Sequence, residues 1–385
     1  MQNFTFVNPV KIVFGKGVIS QLNALIDPKA KILLTYGGGS IKKNGIYKQV
    51  KAALKKRKVV EFGGIEPNPS YETCLKAIEF GRKNKVDFIL AVGGGSVLDG
   101  SKLIAAGIPY KGKNIWDIVK SYGSIVKATI PMGTVLTLPA TGSEMNAFGV
   151  ISKLSTKEKL AFGNPLCFPK FSILDPQTTY SLDKKQLRNG IVDTFVHVAE
   201  QYATKDLNTP LQDRYAEAIL KTLVDVAPAV MSGKKNYDAR ANFMWCATQA
   251  LNGTLACGVQ QDWSTHGIGH EMTAFFGLAH AETLAIVLPA VWKYELKNKS
   301  AKLAKLAENV WGIKKGTKIQ KANAAIKHTV KFFNSLGMPT LLKKYNITPN
   351  DCDVIVKRAA EKKWNISENQ NIDSKALRKI FQMCK

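Results

Sequence analysis

Acidic residues, histidine, cysteine and long apolar runs are all scarce in this chain, and each shortage excludes something. No apolar stretch reaches the ~18 residues needed to cross a bilayer as a helix, so a membrane-spanning protein is not expected. Residues 1–14 alternate Phe, Val and Ile with polar side chains. They lack a basic segment followed by a continuous apolar one, and so do not read as a secretory signal. The six cysteines have no CxxC spacing. That excludes a zinc ribbon or a dithiol redox motif and leads to the expectation of reduced thiols in a cytoplasmic protein.

With 55 Lys and Arg against 29 Asp and Glu, the formal charge is +26. A nucleic-acid binder would concentrate its basic residues in a known module, interleaved with aromatics. Here lysine spreads over amphipathic stretches such as 51–58 and 293–305, the pattern of solvated helix faces. Nucleic-acid and membrane partners are therefore not expected, although a basic field helps attract an anionic cofactor.

What is present is a globular composition, 45% apolar over 385 residues, long enough for two domains. Up to about residue 180, short β-prone runs alternate with helical patterns. KILLTY (31–36) is followed by a helical stretch at 47–58, a short run at 59–62, a helical pattern at 71–84 and VDFILAV (86–92). Strands that are apolar throughout indicate a parallel sheet covered on both faces. Beyond Leu182 apolar residues recur at helical spacing over 187–202, 214–231 and 239–255, and β-branched runs nearly vanish. The expected fold is a Rossmann-like α/β N-terminal dinucleotide-binding domain, 1–181, and an all-helical C-terminal domain, 182–385. The pattern breaks near Asp175-Pro176.

Two of the strands end in the same Gly-Gly-Gly-Ser sequence, at 37–40 and 93–96. Glycines let the backbone approach a ligand, and a following helix offers free N–H groups and partial positive charge to phosphate. Neither loop fits GxGxxG or GxxxxGK[ST], so each alone is weak. Two of them at the carboxyl edge of one parallel sheet point to a dinucleotide. The first loop continues into Lys42 and Lys43 with no carboxylate nearby. An NAD enzyme commonly sets an acidic residue against the ribose 2′-hydroxyl there, whereas Ser40 suits a 2′-phosphate, which favours NADP. TLPATGSE (137–144) adds hydroxyls after a further strand.

Four of the five histidines, His197, His266, His270 and His280, fall in the helical half. Asp193 precedes His197 by four, on one helix face. Asp262, His266 and His270 repeat that spacing, and His280 follows a helix break at 275–278. A carboxylate with several imidazoles suits zinc or ferrous iron. Spacing leaves His270 and His280 equal as ligands. His266-Gly-Ile-Gly-His270 carries no glutamate after its first histidine, which disfavours a zincin protease.

These segments together resemble the iron-containing (group III) alcohol dehydrogenases, over nearly the full length from Phe4 to beyond Trp311. The likeness is closest to the NADPH-dependent aldehyde reductase and butanol dehydrogenase branch. It rests on FGKG (14–17), TYGGGS (35–40), FGGIEPNP (62–69), AVGGGSVLDGSK (91–102), TLPATGSE (137–144) and the stretch 262–280. The resemblance implies NADP(H) and one divalent metal, with metal-assisted hydride transfer to a short-chain aldehyde in a cleft between the two domains. It implies metal ligands at Asp193, His197, His266 and His280, and His270 as a catalytic proton relay rather than a ligand. It implies cofactor contacts at Gly38, Gly39 and Ser40 for the adenosine ribose and 2′-phosphate. Gly94, Gly95, Ser96 and Asp99 are implied for the pyrophosphate region. Thr137, Thr141, Ser143, Asn146 and Lys159 are implied for the nicotinamide half, with Asn68 approaching it. A homodimer joined through residues 4–14 is implied as well. The rival readings are a glycerol-type polyol dehydrogenase of the same superfamily, a dehydroquinate synthase-type lyase, whose anionic substrate needs more Lys and Arg than these motifs carry, and a basic nucleic-acid binder without catalysis.

Overall fold

The computed structural model describes residues 1–385. Eight strands form: β1 Lys11–Phe14, β2 Lys31–Tyr36, β3 Lys58–Phe62, β4 Phe88–Gly94, β5 Met132–Leu138, β6 Phe148–Lys153, β7 Glu158–Gly163 and β8 Phe171–Leu174. Six make one parallel sheet in the order β1-β8-β5-β4-β2-β3, while β6 and β7 form a separate antiparallel hairpin. The apolar runs are buried on both faces. One face packs Leu33, Ile89 and Ala91 against the helices Tyr71–Lys83 and Gly95–Gly107. The other packs Ile32, Leu34 and Val92 against Leu22, Ile46 and Val50. Ser70 opens the Tyr71–Lys83 helix by accepting the Thr73 N–H at 3.1 Å.

The helical pattern read at 47–58 is shorter in the structure. The helix is Ile46–Ala53, and Lys58 already begins β3. Leu54 is the last buried apolar residue of that face, and Arg57 is drawn into capping the carbonyls of Asn23, Ile26 and Asp27 instead. Likewise only Lys11–Phe14 of the N-terminal segment is strand.

Helices account for the rest: Lys184–Tyr202, Pro210–Met231, Tyr237–Ala250, Ser264–Phe276, His280–Tyr294, Leu296–Asn309, Lys318–Ser335, Asp353–Glu361 and Ser374–Met383. Gly277, at φ 68°, ends the Ser264–Phe276 helix in the left-handed conformation that glycine adopts without strain. That stop lets His280 open the next helix. None of these helices is long and apolar enough to cross a membrane. All six cysteines are free and buried.

Two compact units result. One comprises Met1–Phe6, Lys184–Lys234 and Gln249–Lys385, the other Val7–Asp183 and Lys235–Thr248. The division therefore departs from chain order in two places. The Gln2 N–H donates to Gly258 O at 3.0 Å within the helical unit. In the α/β unit, Arg240 donates to Thr179 O at 2.8 Å and Thr248 Oγ1 to Glu144 Oε1 at 2.6 Å.

One charge expectation is corrected. Lys299 and Lys302, in the stretch 293–305 read as a solvated face, are each 2% exposed. Lys299 reaches Asp262 at 2.9 Å and Glu368 at 2.8 Å, and Lys302 pairs with Asp213. A buried ammonium is tolerated only with such partners.

Candidate metal centre and nucleotide-binding edge

In the α/β unit the motif residues gather at the carboxyl ends of the parallel strands. Gly39 takes φ 94° after β2 and turns the chain into the short helix Ser40–Lys43. No acidic residue occupies that turn. Lys42 lies over the rings of Tyr36 and Tyr47, 4.9 and 5.1 Å from their centroids. After β4, the Gly95–Gly107 helix begins directly. A side chain at Gly94 would run into Leu138, and one at Gly95 into Thr141, so these glycines let the loops after β4 and β5 close on one another. The first turn of that helix leaves N–H groups without intrahelical acceptors, an arrangement suited to phosphate.

Two polar sets extend this edge. Lys159, on the hairpin, donates to Asn68 Oδ1 at 2.8 Å, and the Asn68 N–H donates to Ser96 Oγ at 3.2 Å. Asp99 accepts the Ser143 hydroxyl at 2.6 Å and the Val150 N–H at 3.0 Å. Lys102, fully buried, donates to Ser143 O and Oγ at 2.8 Å, Asn146 Oδ1 at 3.0 Å and Phe148 O at 2.6 Å. Burial lowers the Lys102 ammonium to about 8, against the raising influence of Asp99. Burial raises the Asp99 carboxyl, with Lys102 pulling it back. Lys102 escaped the residue-type reading, although its place three residues after Asp99 in the same helix was a usable signal.

In the helical unit, Asp193 and His197 lie one turn apart on the Lys184–Tyr202 helix, as their spacing requires. His266 comes from the Ser264–Phe276 helix and His280 from the first position of the next. One donor atom each of Asp193, His266 and His280 lies within 4.8 Å of the other two. His197 borders this set. Its Nδ1 is 3.6 Å from Asp193 Oδ1, and its ring stacks on His266 at 4.6 Å between centroids. His270, half-buried, stands outside the set with its ring 5.2 Å from His280. Asp262, which shares the four-residue spacing, faces elsewhere. It accepts the Ser264 N–H at 2.9 Å and pairs with Lys299.

The donor set fits a divalent cation. Asp193 Oδ1 is buried and accepts no hydrogen bond, an arrangement a native fold rarely tolerates. Around it sit His197 Nδ1 at 3.6 Å, His266 Nε2 at 3.9 Å and His280 Nε2 at 3.7 Å. These distances are too long for hydrogen bonds. They approach the spacing of about 3.4 Å between ligand atoms held tetrahedrally ~2.1 Å from one ion.

Glu200 is a second residue that sequence reasoning missed. It stands seven residues after Asp193 and three after His197, on one helix face, which was the available signal. Its two oxygens meet the Thr265 N–H, at 2.7 Å, and His266 Nδ1. Burial, with Asp262 adding to it, pushes the Glu200 carboxyl well above its ordinary range, a cost that a cation held by the neighbouring donor set would offset.

Comparison with known proteins matches residues 9–176 to the family model described as iron-containing alcohol dehydrogenase, and residues 188–384 to the C-terminal model of the same family. The chain is 50% identical to the NADPH-dependent aldehyde reductase YqhD of Escherichia coli, covering 99% of each chain. It is 43% identical to a probable NADH-dependent butanol dehydrogenase of Bacillus subtilis, over 93% of this chain and 94% of that one. The crystal structure of E. coli YqhD superposes with a TM-score of 0.98, at 48% identity, covering 100% of this chain and 99% of that one.

Proposed function

The chain belongs to the iron-containing alcohol dehydrogenase family, and from that premise we propose that it is an NADPH-linked, metal-dependent reductase of short-chain aldehydes, running the reverse oxidation of alcohols. The observation that carries this reading is the buried Asp193 Oδ1 without a hydrogen bond, ringed by three imidazoles. Asp193, His197, His266 and His280 hold the metal, iron or zinc. When bound, the metal withdraws electron density from the substrate carbonyl and NADPH supplies the hydride.

The chain's own residues do the rest. The N–H groups that open the Gly95–Gly107 helix receive the pyrophosphate. Ser40, at a turn without a carboxylate, receives the 2′-phosphate, and Lys159 with Asn68 borders the nicotinamide half. His270 passes a proton to the product oxygen, since an imidazole can both donate and accept one and this ring stands beside the donor set without belonging to it. The enzyme works as a homodimer, a reading supported by the exposed apolar side chains of Phe4, Phe6 and Val7.

The test measures metal content and NADPH oxidation with butanal together. One metal per chain and a rate abolished by chelation and restored by iron or zinc support the reading. A metal-free chain that oxidises NADPH at the full rate overturns it.

A further inference from the structure

Glu200 touches no predicted substrate or cofactor position, yet it is 4% exposed and both of its oxygens are engaged. One accepts the backbone N–H of Thr265 at 2.7 Å, in the first turn of the Ser264–Phe276 helix. The other meets His266 Nδ1, while His266 Nε2 faces Asp193 Oδ1 from 3.9 Å. An imidazole binds a metal through one nitrogen only when the proton sits on the other. We propose that Glu200 is the positioning residue of the metal centre: its carboxylate holds the His266 proton on Nδ1, turns Nε2 toward Asp193, and ties the helix carrying Asp193 and His197 to the helix carrying His266. This rests on the metal-binding reading above.

A carboxylate is the one isosteric group that satisfies both contacts. The Thr265 N–H and His266 Nδ1–H are both donors, so the side chain between them must accept twice through two separate oxygens. Glutamine has one acceptor oxygen. In Glu200→Gln, its NH2 must face one of the two donors. If it faces Thr265, the helix start loses its cap. If it faces His266, the imidazole becomes the acceptor and its proton moves to Nε2, the atom the metal needs. Aspartate is one methylene shorter and cannot span both. Second-layer carboxylates of this kind change metal affinity by 10–100-fold in other sites.

Glu217 provides the control. It is also buried in the helical unit, but it accepts the Tyr202 hydroxyl at 2.6 Å and touches no histidine. The experiment titrates metal-free wild type, Glu200→Gln, Glu200→Ala and Glu217→Gln with Zn²⁺ against a chromophoric chelator. It also records the ¹⁵N-correlated imidazole N–H signals of the zinc-loaded proteins. Both Glu200 variants are expected to raise the zinc Kd by about 10–100-fold, with Glu217→Gln unchanged. Wild type is expected to show one far-downfield, slowly exchanging imidazole N–H. It moves upfield in Glu200→Gln and vanishes in Glu200→Ala. Should Glu200→Gln unfold, Glu200→Ala and the wild-type signal still decide the matter. Zinc affinity within twofold of wild type in a folded Glu200 variant overturns the positioning role. So does a wild-type zinc form lacking the downfield signal. Wild type that binds no zinc or iron at all overturns the metal reading instead.

Discussion

Lys102 in the α/β unit and Asp193 in the helical unit are both buried charged side chains at the heart of a candidate site, yet their surroundings differ. Four oxygen acceptors surround the Lys102 ammonium at 2.6–3.0 Å. Asp193 Oδ1 has no donor, and three imidazole nitrogens stand back from it at 3.6–3.9 Å. A saturated buried charge completes the fold around it. An unsaturated one, held by helices that converge on it, awaits a ligand of opposite charge. In the proposed function, the first cluster shapes the loops that receive the cofactor, and the second receives an ion.

Substitutions separate the two roles. The largest effect on turnover is expected from His266→Ala, which removes a donor from the unsaturated set. Metal should fall well below one per chain and kcat/KM by on the order of 10³-fold, matching the several kcal/mol a Lewis acid contributes. Elemental analysis with steady-state kinetics checks it, and full metal with full rate breaks the comparison. Lys102→Met should act on the fold instead. It leaves the carbonyls of Ser143 and Phe148 without their side-chain donor, while the Asn146 amide oxygen keeps the Phe148 N–H, at a cost of about 3 kcal/mol. Denaturant unfolding should register that loss with metal content unchanged, and NADPH should bind more weakly. Equal loss of metal in Lys102→Met would erase the distinction drawn here.

His270→Ala is expected to keep its metal while turnover falls by about 10²-fold, with an altered pH profile, because in the proposed function the side chain moves a proton rather than holding the ion. Metal loss in that variant, with His280→Ala still loaded, would exchange the two assignments. The smallest effect belongs to Ser40→Asp. A carboxylate facing the 2′-phosphate should lower kcat/KM for NADPH by about 30-fold, or ~2 kcal/mol, and spare NADH. Equal kcat/KM for the two cofactors in the unaltered protein would remove the basis for that preference.

The same contrast governs what the sequence makes legible. Phosphate-type loops are local: a buried apolar run, three glycines and a serine are contiguous, so β2 and β4 and the turns after them are legible at 31–40 and 86–96, although β4 itself begins two residues later, at Phe88. Asp193 and His197 are legible for the same reason, being one helical turn apart. The choice between His270 and His280 is not local. It depends on Gly277 ending one helix so that His280 starts another, and spacing alone treats the two as equals. Glu200 is harder still, because its partner lies 66 residues away and only packing brings them together. Lys299 and Lys302 mislead for a related reason. A lysine-rich amphipathic helix looks solvated until Asp262, Glu368 and Asp213 arrive from distant segments to pair with it. The resemblance to a known family implied His280 rather than His270 as a ligand where residue patterns left the two equal, and it pointed neither to Glu200 nor to the pairing of Lys299 and Lys302.

The central claim is that the unsatisfied oxygen of Asp193 marks where one metal ion binds. Anomalous diffraction from crystals of the metal-loaded protein, recorded on both sides of the iron and zinc absorption edges, tests it most directly. The account predicts a single strong peak per chain within bonding distance of Asp193 Oδ1, His197, His266 Nε2 and His280 Nε2, about 2.0–2.2 Å from each, with His270 outside that distance. A peak centred elsewhere, such as on Asp262 and Glu368, or a fully active crystal with no peak at Asp193, would contradict it.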